Sequence, residues 1–343
     1  LNPTNLFALL FANDTPWEFD ETAQARILTA GSLTASATAT VELSKLQASF
    51  SSNAPVRTGR YSRVLHSQLF TQDGIQKGPG AIAVGPPAGF SPGVPTPDFN
   101  VSYFYTGRLQ PYAMKVPEDY NDNSQNYPLI VYLHGFTGQP EEPFRNPVGL
   151  TEMASAQGYI LASALGRGDY FYKAEGEYDV LEVLADVKKH YRIDERRVYL
   201  MGHSMGGYGS HNVASRHPDL FAAIAPAQGT DALHLTANLR NVPFLMMASD
   251  QDLDANAEKA LRHYALLSAE GFNADILQYR AKIHEYSSIY DTLPRIFNHF
   301  GAHTLNLNPA VVSYTQTPSE VRADLGLHYN RAYWMSALSP QNT

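Results

Sequence analysis

From Tyr103 onward, short continuous apolar runs alternate with stretches of helical period, and this alternation restricts the fold more than any other feature of the chain. Leu129-Ile130-Val131-Tyr132-Leu133 is uninterrupted by charge, as a strand buried on both faces of a parallel sheet must be. Comparable runs lie at Tyr159–Ala164, Val198–Met201, Phe221–Ala225, Pro243–Met247 and Asp275–Tyr279. Between them, Pro147–Gln157, Asp179–Tyr191, Gly207–Arg216 and Asn256–Glu270 read as helices; Val180, Leu184, Val187 and Tyr191 mark the buried stripe of one of them. Parallel neighbours need a long crossover, usually a helix, so the pattern predicts an α/β fold with a mostly parallel sheet flanked by helices. After Phe300, Val311–Thr315 and Tyr329–Met335 are expected to close the chain as a strand pair.

Residues 1–99 follow a different rule. Leu33–Leu43 alternates small apolar with hydroxyl residues, and Tyr61–Phe70 alternates again before a turn at Asp73-Gly74. Period two means strands, either of a small accessory unit or of an N-terminal extension of the sheet. Five prolines between Pro86 and Pro97 remove ladder donors and stiffen an extended connector. The expected organisation is therefore a β-rich accessory region over 1–99, ending in that connector, and an α/β unit over 100–343.

The chain has 343 residues and no cysteine, which excludes disulfides, thiolate nucleophiles, iron–sulfur clusters and Cys-type zinc sites. A net charge of −8 speaks against a nucleic-acid partner, which would call for a basic patch. Charged residues are 17% of the chain, against a usual figure of about 25%. The resulting Ser, Thr, Asn and Tyr surface suits a secreted or extracytoplasmic protein, and a start at Leu1 suits a trimmed, mature chain. No apolar run approaches the roughly 18 residues of a membrane span.

The chemistry concentrates at Gly202-x-Ser204-x-Gly206, a G-x-S-x-G set between the strand Val198–Met201 and the helix Gly207–Arg216. That context is what a nucleophile elbow requires, because glycines two before and two after the serine let the backbone turn without Cβ clashes. Ser204 is then expected at the C-terminal edge of the sheet, over the positive end of the next helix. The plainer alternative is a Gly-rich turn carrying a solvated serine. A serine nucleophile needs a base, an orienter for that base and donors for an oxyanion. His134-Gly135-Phe136 leaves an earlier buried strand, so the backbone N–H groups of Phe136 and Met205 are the candidate donors. For the acid, Asp250, Asp252 and Asp254 follow the strand Pro243–Met247, in the crevice beyond the strand ends where ligands of open α/β sheets bind. Asp252 is the choice among them. Three alternate aspartates also resemble a metal loop, but the Gly and distal Glu of an EF-hand are missing, and no metal is assigned.

Of twelve histidines, His203 adjoins the serine and points away from it, while His190, His211, His217 and His263 fall on helices. His284 follows the strand Asp275–Tyr279, precedes the last helix and comes after the acid in the chain. It is the preferred base, with His234, His299 and His303 as alternatives.

These residues carry a family resemblance. Gly166-Arg167-Gly168-Asp169-Tyr170, Tyr191-Arg192-Ile193-Asp194, Gly202-His203-Ser204-Met205-Gly206-Gly207 and Pro218-Asp219-Leu220-Phe221-Ala222-Ala223 are similar to the prolyl-oligopeptidase-like branch of the α/β hydrolases over roughly 103–303. That branch includes feruloyl-esterase-like and poly(hydroxyalkanoate)-depolymerase-like enzymes. The resemblance implies an α/β-hydrolase fold, Ser204 as nucleophile, Asp252 as acid, His284 as base, and no cofactor. Two positions depart from it: Ser249 stands where Gly is common, and Glu285 follows His284 without the usual Gly before that histidine. Residues 1–99 resemble, more faintly, the β-sandwich that precedes some of these esterases.

Hydrolysis of carboxylic esters is the leading expectation. Tyr170, Phe171, Tyr172 and Tyr178 cluster after one strand, with Phe136 and Phe144 after another, which favours aryl or polyester-like acyl groups if they line the mouth. The rival readings are a serine peptidase of the same branch and a non-catalytic binding protein on the same scaffold.

Overall fold

The computed structural model describes residues 58–69, 75–77, 103–105, 107–121, 125–145, 149–255 and 257–336. The chain runs through β1 (Gly59–His66), β2 (Ile75–Lys77), β3 (Tyr103–Tyr105), β4 (Leu109–Val116), β5 (Tyr127–Leu133), α1 (Glu142–Arg145), α2 (Leu150–Ala156) and β6 (Ile160–Ala164). It continues with α3 (Glu175–His190), β7 (Ile193–His203), α4 (Met205–Arg216), β8 (Ala223–Ala227), β9 (Phe244–Ser249), α5 (Ala257–Ala269), β10 (Ala274–Tyr279), α6 (Ser287–Tyr290) and α7 (Leu293–Gly301).

Eight strands form one sheet in the order β1-β4-β6-β5-β7-β8-β9-β10. The six from β6 to β10 are mutually parallel, and β4 and β1 extend the sheet antiparallel. Each apolar run serves two cores because successive side chains face opposite ways. Leu129, Val131 and Leu133 join Val180, Val183 and Val187 of α3 and Val213 of α4 on one face. Ile130 and Tyr132 join Leu150 of α2 and Ile296, Phe297 and Phe300 of α7 on the other. The result is the expected three-layer arrangement of helices on both faces of a mostly parallel sheet.

The alternating stretch from Tyr61 belongs to β1, which pairs with β4 at the edge of the main sheet, so it is the extension form of the two readings. Leu33–Leu43, the Asp73-Gly74 turn and the Pro-rich connector lie outside the described residues. The sequence names no strand at β4, since Pro111 interrupts it; Pro111 faces Val64 of β1 and lies just before Tyr112–Lys115, the stretch that pairs with β6, so on that side it has no strand partner among the described residues.

The terminal strand pair is corrected. Among the described residues Val311–Thr315 has no sheet partner, and Tyr329–Met335 is a turn with a single bridge between Ala332 and Met335. Side chains take the place of a ladder: Asn241 Nδ2 donates to Val311 O at 2.8 Å, and Asn238 both donates to Thr315 O at 3.0 Å and accepts from its N–H at 2.6 Å. Leu325, Leu327 and Tyr329 then cover Tyr178 and Leu181 of α3. Among the described residues no helix is long and apolar enough to cross a membrane.

Two buried imidazoles tie stability to pH. His211 of α4 and His263 of α5 stack at 4.3 Å with no exposure, and neither ring nitrogen of His263 has a hydrogen-bond partner among the described residues. Burial lowers both, His263 to about 4 and His211 well below its usual value. Between pH 6.5 and 4 the unfolded chain therefore binds protons that the folded chain refuses, so stability falls with acidification, by about 1.4 kcal/mol per pH unit for each such histidine. Urea midpoints are expected to drop steadily from about pH 6.5 downward and less steeply in His263→Leu; equal slopes for the two proteins would contradict this.

Candidate active site

Ser204 stands alone between the last residue of β7 and the first of α4, at φ 56° and ψ −119°. A positive φ is costly for a residue with a Cβ, and here packing imposes it. Gly206 makes the imposition possible: a Cβ there would overlap the Leu133 carbonyl oxygen and lie 2.9 Å from that of His134. The first turn of α4 can thus press against the end of β5, with its unpaired amides beside the serine.

Register brings the remaining groups to the same edge. Leu133 pairs with Gly202, His203 with Ala227, Ala227 with Met247 and Ser249 with Tyr279, so the loops after β5, β7, β8, β9 and β10 leave the sheet side by side. His284, on the loop after β10, lies with Nε2 2.7 Å from Ser204 Oγ and Nδ1 2.8 Å from Asp252 Oδ2. A carboxylate only accepts, so Nδ1 carries the proton and donates it to Asp252, leaving Nε2 bare to accept from the Ser204 hydroxyl. Asp252 is buried, and its other oxygen accepts the N–H groups of Asp254 at 2.9 Å and Ala255 at 2.7 Å. These three acceptances compensate its charge.

The other candidates separate. Asp250 is exposed and accepts the Ala281 N–H at 2.8 Å, holding the loop after β10. His234 is an exposed partner of Glu320, and His303 bonds the carbonyl of His299 at the far end of α7. His203 is buried with its ring 5.0 Å from that of His284, and burial lowers its pKa to about 3, so it stays neutral beside that histidine. Asp252, Asp254 and His284 bring one potential metal ligand each within 4.8 Å of one another. Both Asp252 oxygens and the His284 Nδ1 are already committed to the bonds above.

The amides of Phe136 and Met205 sit just past the paired ends of β5 and β7, and neither has a hydrogen-bond partner among the described residues. Sequence reasoning did not find the group that sets the Phe136 loop. The Glu142 carboxylate of α1 accepts the Gly135 N–H at 3.1 Å and the Tyr132 hydroxyl at 3.0 Å, fixing the His134–Gly135 peptide that leads into Phe136. Nothing at the sequence level distinguishes Glu142 from the neighbouring Glu141.

Of the three aromatics expected to bind substrate, one is exposed. Phe171 is 38% exposed, and its ring centroid lies 6.0 Å from those of both Phe136 and Tyr208. Tyr172 is corrected: it is wholly buried and donates its hydroxyl to His134 O at 3.1 Å, supporting the loop from below. Tyr170 is half-buried among Glu175, Arg167 and Arg322, toward the C-terminal segment. Tyr178 packs in the C-terminal cluster, and Phe144 lies under Arg60 and against the α2/α7 core. Tyr208, one turn into α4, is the ring that stands beside Phe171.

Known proteins resemble this arrangement. Residues 152–235 match the prolyl oligopeptidase family. The bifunctional acetylxylan esterase/xylanase XynS20E of Neocallimastix patriciarum is 30% identical over 131 residues, which is 37% of this chain and 19% of that protein. Prolyl endopeptidase FAP of Mus musculus is 31% identical over 133 residues, covering 34% of this chain and 17% of that protein. The chain thus spans less than a fifth of the length of these relatives. A solved ferulic acid esterase superposes on 72% of this chain and 98% of its own, with a TM-score of 0.52 at 15% identity, a likeness of fold.

Proposed function

We infer that this chain, a member of the α/β-hydrolase superfamily, is a serine hydrolase that cleaves carboxylic esters through Ser204, His284 and Asp252. The observation that carries the reading is the unbroken hydrogen-bond line from the Asp252 carboxylate through both nitrogens of His284 to the Ser204 hydroxyl. In the reaction, Nε2 of His284 takes the hydroxyl proton as Ser204 Oγ attacks the ester carbonyl. The carbonyl oxygen becomes an oxyanion held by the N–H groups of Phe136 and Met205, at the positive end of α4. Asp252 keeps the imidazole oriented and compensates the imidazolium charge. The Nε2 proton then passes to the departing alkoxide, leaving a Ser204 acyl-enzyme. Water, deprotonated by His284, releases the acid by the reverse route. Every step uses groups of the chain and water, and none calls for a cofactor.

Phe136, Phe171 and Tyr208 form a continuous aromatic border beside the serine, which supports esters with aryl or other flat, bulky acyl groups, polyester-like chains among them. The unit that carries this chemistry is residues 100–343 together with β1, and secretion fits its weakly charged composition. The acetylxylan esterase relative supports an ester, whereas the prolyl oligopeptidase match keeps a peptidase as the second reading.

A p-nitrophenyl ester and aminoacyl-anilides distinguish them. A stoichiometric burst on the ester, followed by slower turnover, is expected from an acyl-enzyme. Faster turnover of anilides than esters would overturn the ester reading, and no burst with slow labelling by a fluorophosphonate would overturn both.

A further inference from the structure

The loop that carries His284 is short of structure of its own: it follows β10, precedes the four residues of α6, and contains Ala281 at φ 57°. What holds it is a side chain from another strand end. Gln228 is the first residue after β8, nearly fully buried, with a positive φ of 47° and its N–H donated to Met247 O at 2.8 Å. Its amide lies directly beneath the loop. Nε2 donates to Ile283 O at 2.7 Å and to Ser249 Oγ at 2.8 Å. Oε1 accepts the Glu285 N–H at 3.1 Å and a bond of 2.6 Å from His203 Nε2.

The two loop contacts fall on either side of His284. Ile283 O can only accept and Glu285 N–H can only donate, so the amide orientation is dictated by the backbone it grips. His203, held neutral by burial, has its proton on Nε2 toward Oε1, and Ser249 Oγ meets the remaining Nε2 hydrogen. Ser249, one of the positions at which the sequence departs from the family pattern, is thus a partner of the same side chain.

We propose that Gln228 is the positioning residue of the base: its carboxamide clamps the peptide groups before and after His284, and Ser249 and His203 fix the clamp. This rests on the reading of His284 as the general base. Gln228 reaches neither substrate nor Ser204, so its influence passes entirely through the placement of the imidazole. A reacting group displaced by about 1 Å loses on the order of 10²-fold in rate, which sets the scale of the effect.

The test uses Gln228→Met and Gln228→Glu in the full chain. Gln228→Met keeps the length and removes all four bonds; kcat on a p-nitrophenyl ester is expected to fall about 10- to 100-fold while KM changes less than about threefold. Gln228→Glu keeps the acceptor for Glu285 and loses the donor to Ile283 unless the carboxyl is protonated. Its kcat relative to the wild type is therefore expected to rise as pH is lowered from 8 to 5. A merely structural role would lower the amount of folded protein by circular dichroism without that pH-dependent ratio. A Gln228→Met kcat within about twofold of the wild type, or a Gln228→Glu ratio that does not change with pH, would overturn the clamp. If Gln228→Met fails to fold, the Gln228→Glu ratio decides alone. Wild-type protein without Ser204-dependent acylation would instead remove the reading of the base itself.

Discussion

Replacing Ser204 by alanine is expected to lower kcat on a p-nitrophenyl ester by about 10⁶-fold, leaving a residue of about 10³–10⁴ over water from the oxyanion donors and substrate binding. Ser204 Oγ is the oxygen that faces His284 Nε2, and the chain has no cysteine to stand in as nucleophile. The strained backbone is unchanged by the substitution, since alanine carries the same Cβ, so the thermal midpoint is expected to move by less than a few degrees. His284→Ala should cost a similar factor, and the double variant no more than either alone, because in the proposed mechanism the two groups act in one proton transfer. Titrating active sites with a fluorophosphonate before measuring kcat separates true residual activity from contaminating wild-type enzyme. A Ser204→Ala protein retaining more than about 1% of kcat would contradict the mechanism.

Gly206→Ala is expected to fail on two measurements at once. The added Cβ would overlap the Leu133 carbonyl oxygen, and both neighbours are backbone, at the end of a fully buried central strand. No rotamer relieves that clash, so α4 must retreat from β5. Retreat opens the contact between Val213 and Ala214 of α4 and the core built on Leu133, a loss of about 4–5 kcal/mol or more by the standard of the severest single substitutions. The Met205 amide moves with the helix, and losing one oxyanion donor costs about 10²–10³ in kcat. Urea denaturation and kcat on whatever fraction folds check the two halves. Near-wild-type values for both would mean that the elbow is not held against β5.

The order of elements was legible in the sequence wherever a run's chemistry matched its period. Val198–Met201, Gly202, Ser204, Gly206 and the helix after them were readable because strand, turn and helix are contiguous and each obeys a local rule. β4 was not, because Pro111 masks an antiparallel strand whose partners lie far along the chain. Val311–Thr315 has the alternation of a strand, yet Asn238 and Asn241 take its backbone groups before any strand can. Tyr172 and Phe171 are adjacent and chemically alike, and only packing decides that one supports His134 while the other stays exposed beside Phe136.

The sequence by itself determined the layered α/β fold and the serine elbow, since a buried parallel strand, a glycine-flanked turn and a helix after it are properties of neighbouring residues. It also narrowed the acid to three aspartates and the base to four histidines, because chain order limits which loops leave the C-terminal edge. The tertiary structure decided which of these meet: Asp252 rather than Asp250 faces His284, and Gln228 from a different strand end grips the peptides beside that histidine. The reason is physical. Period and propensity act over a few residues, whereas a hydrogen bond between residues 55 or 80 positions apart exists only once sheet register has set their separation.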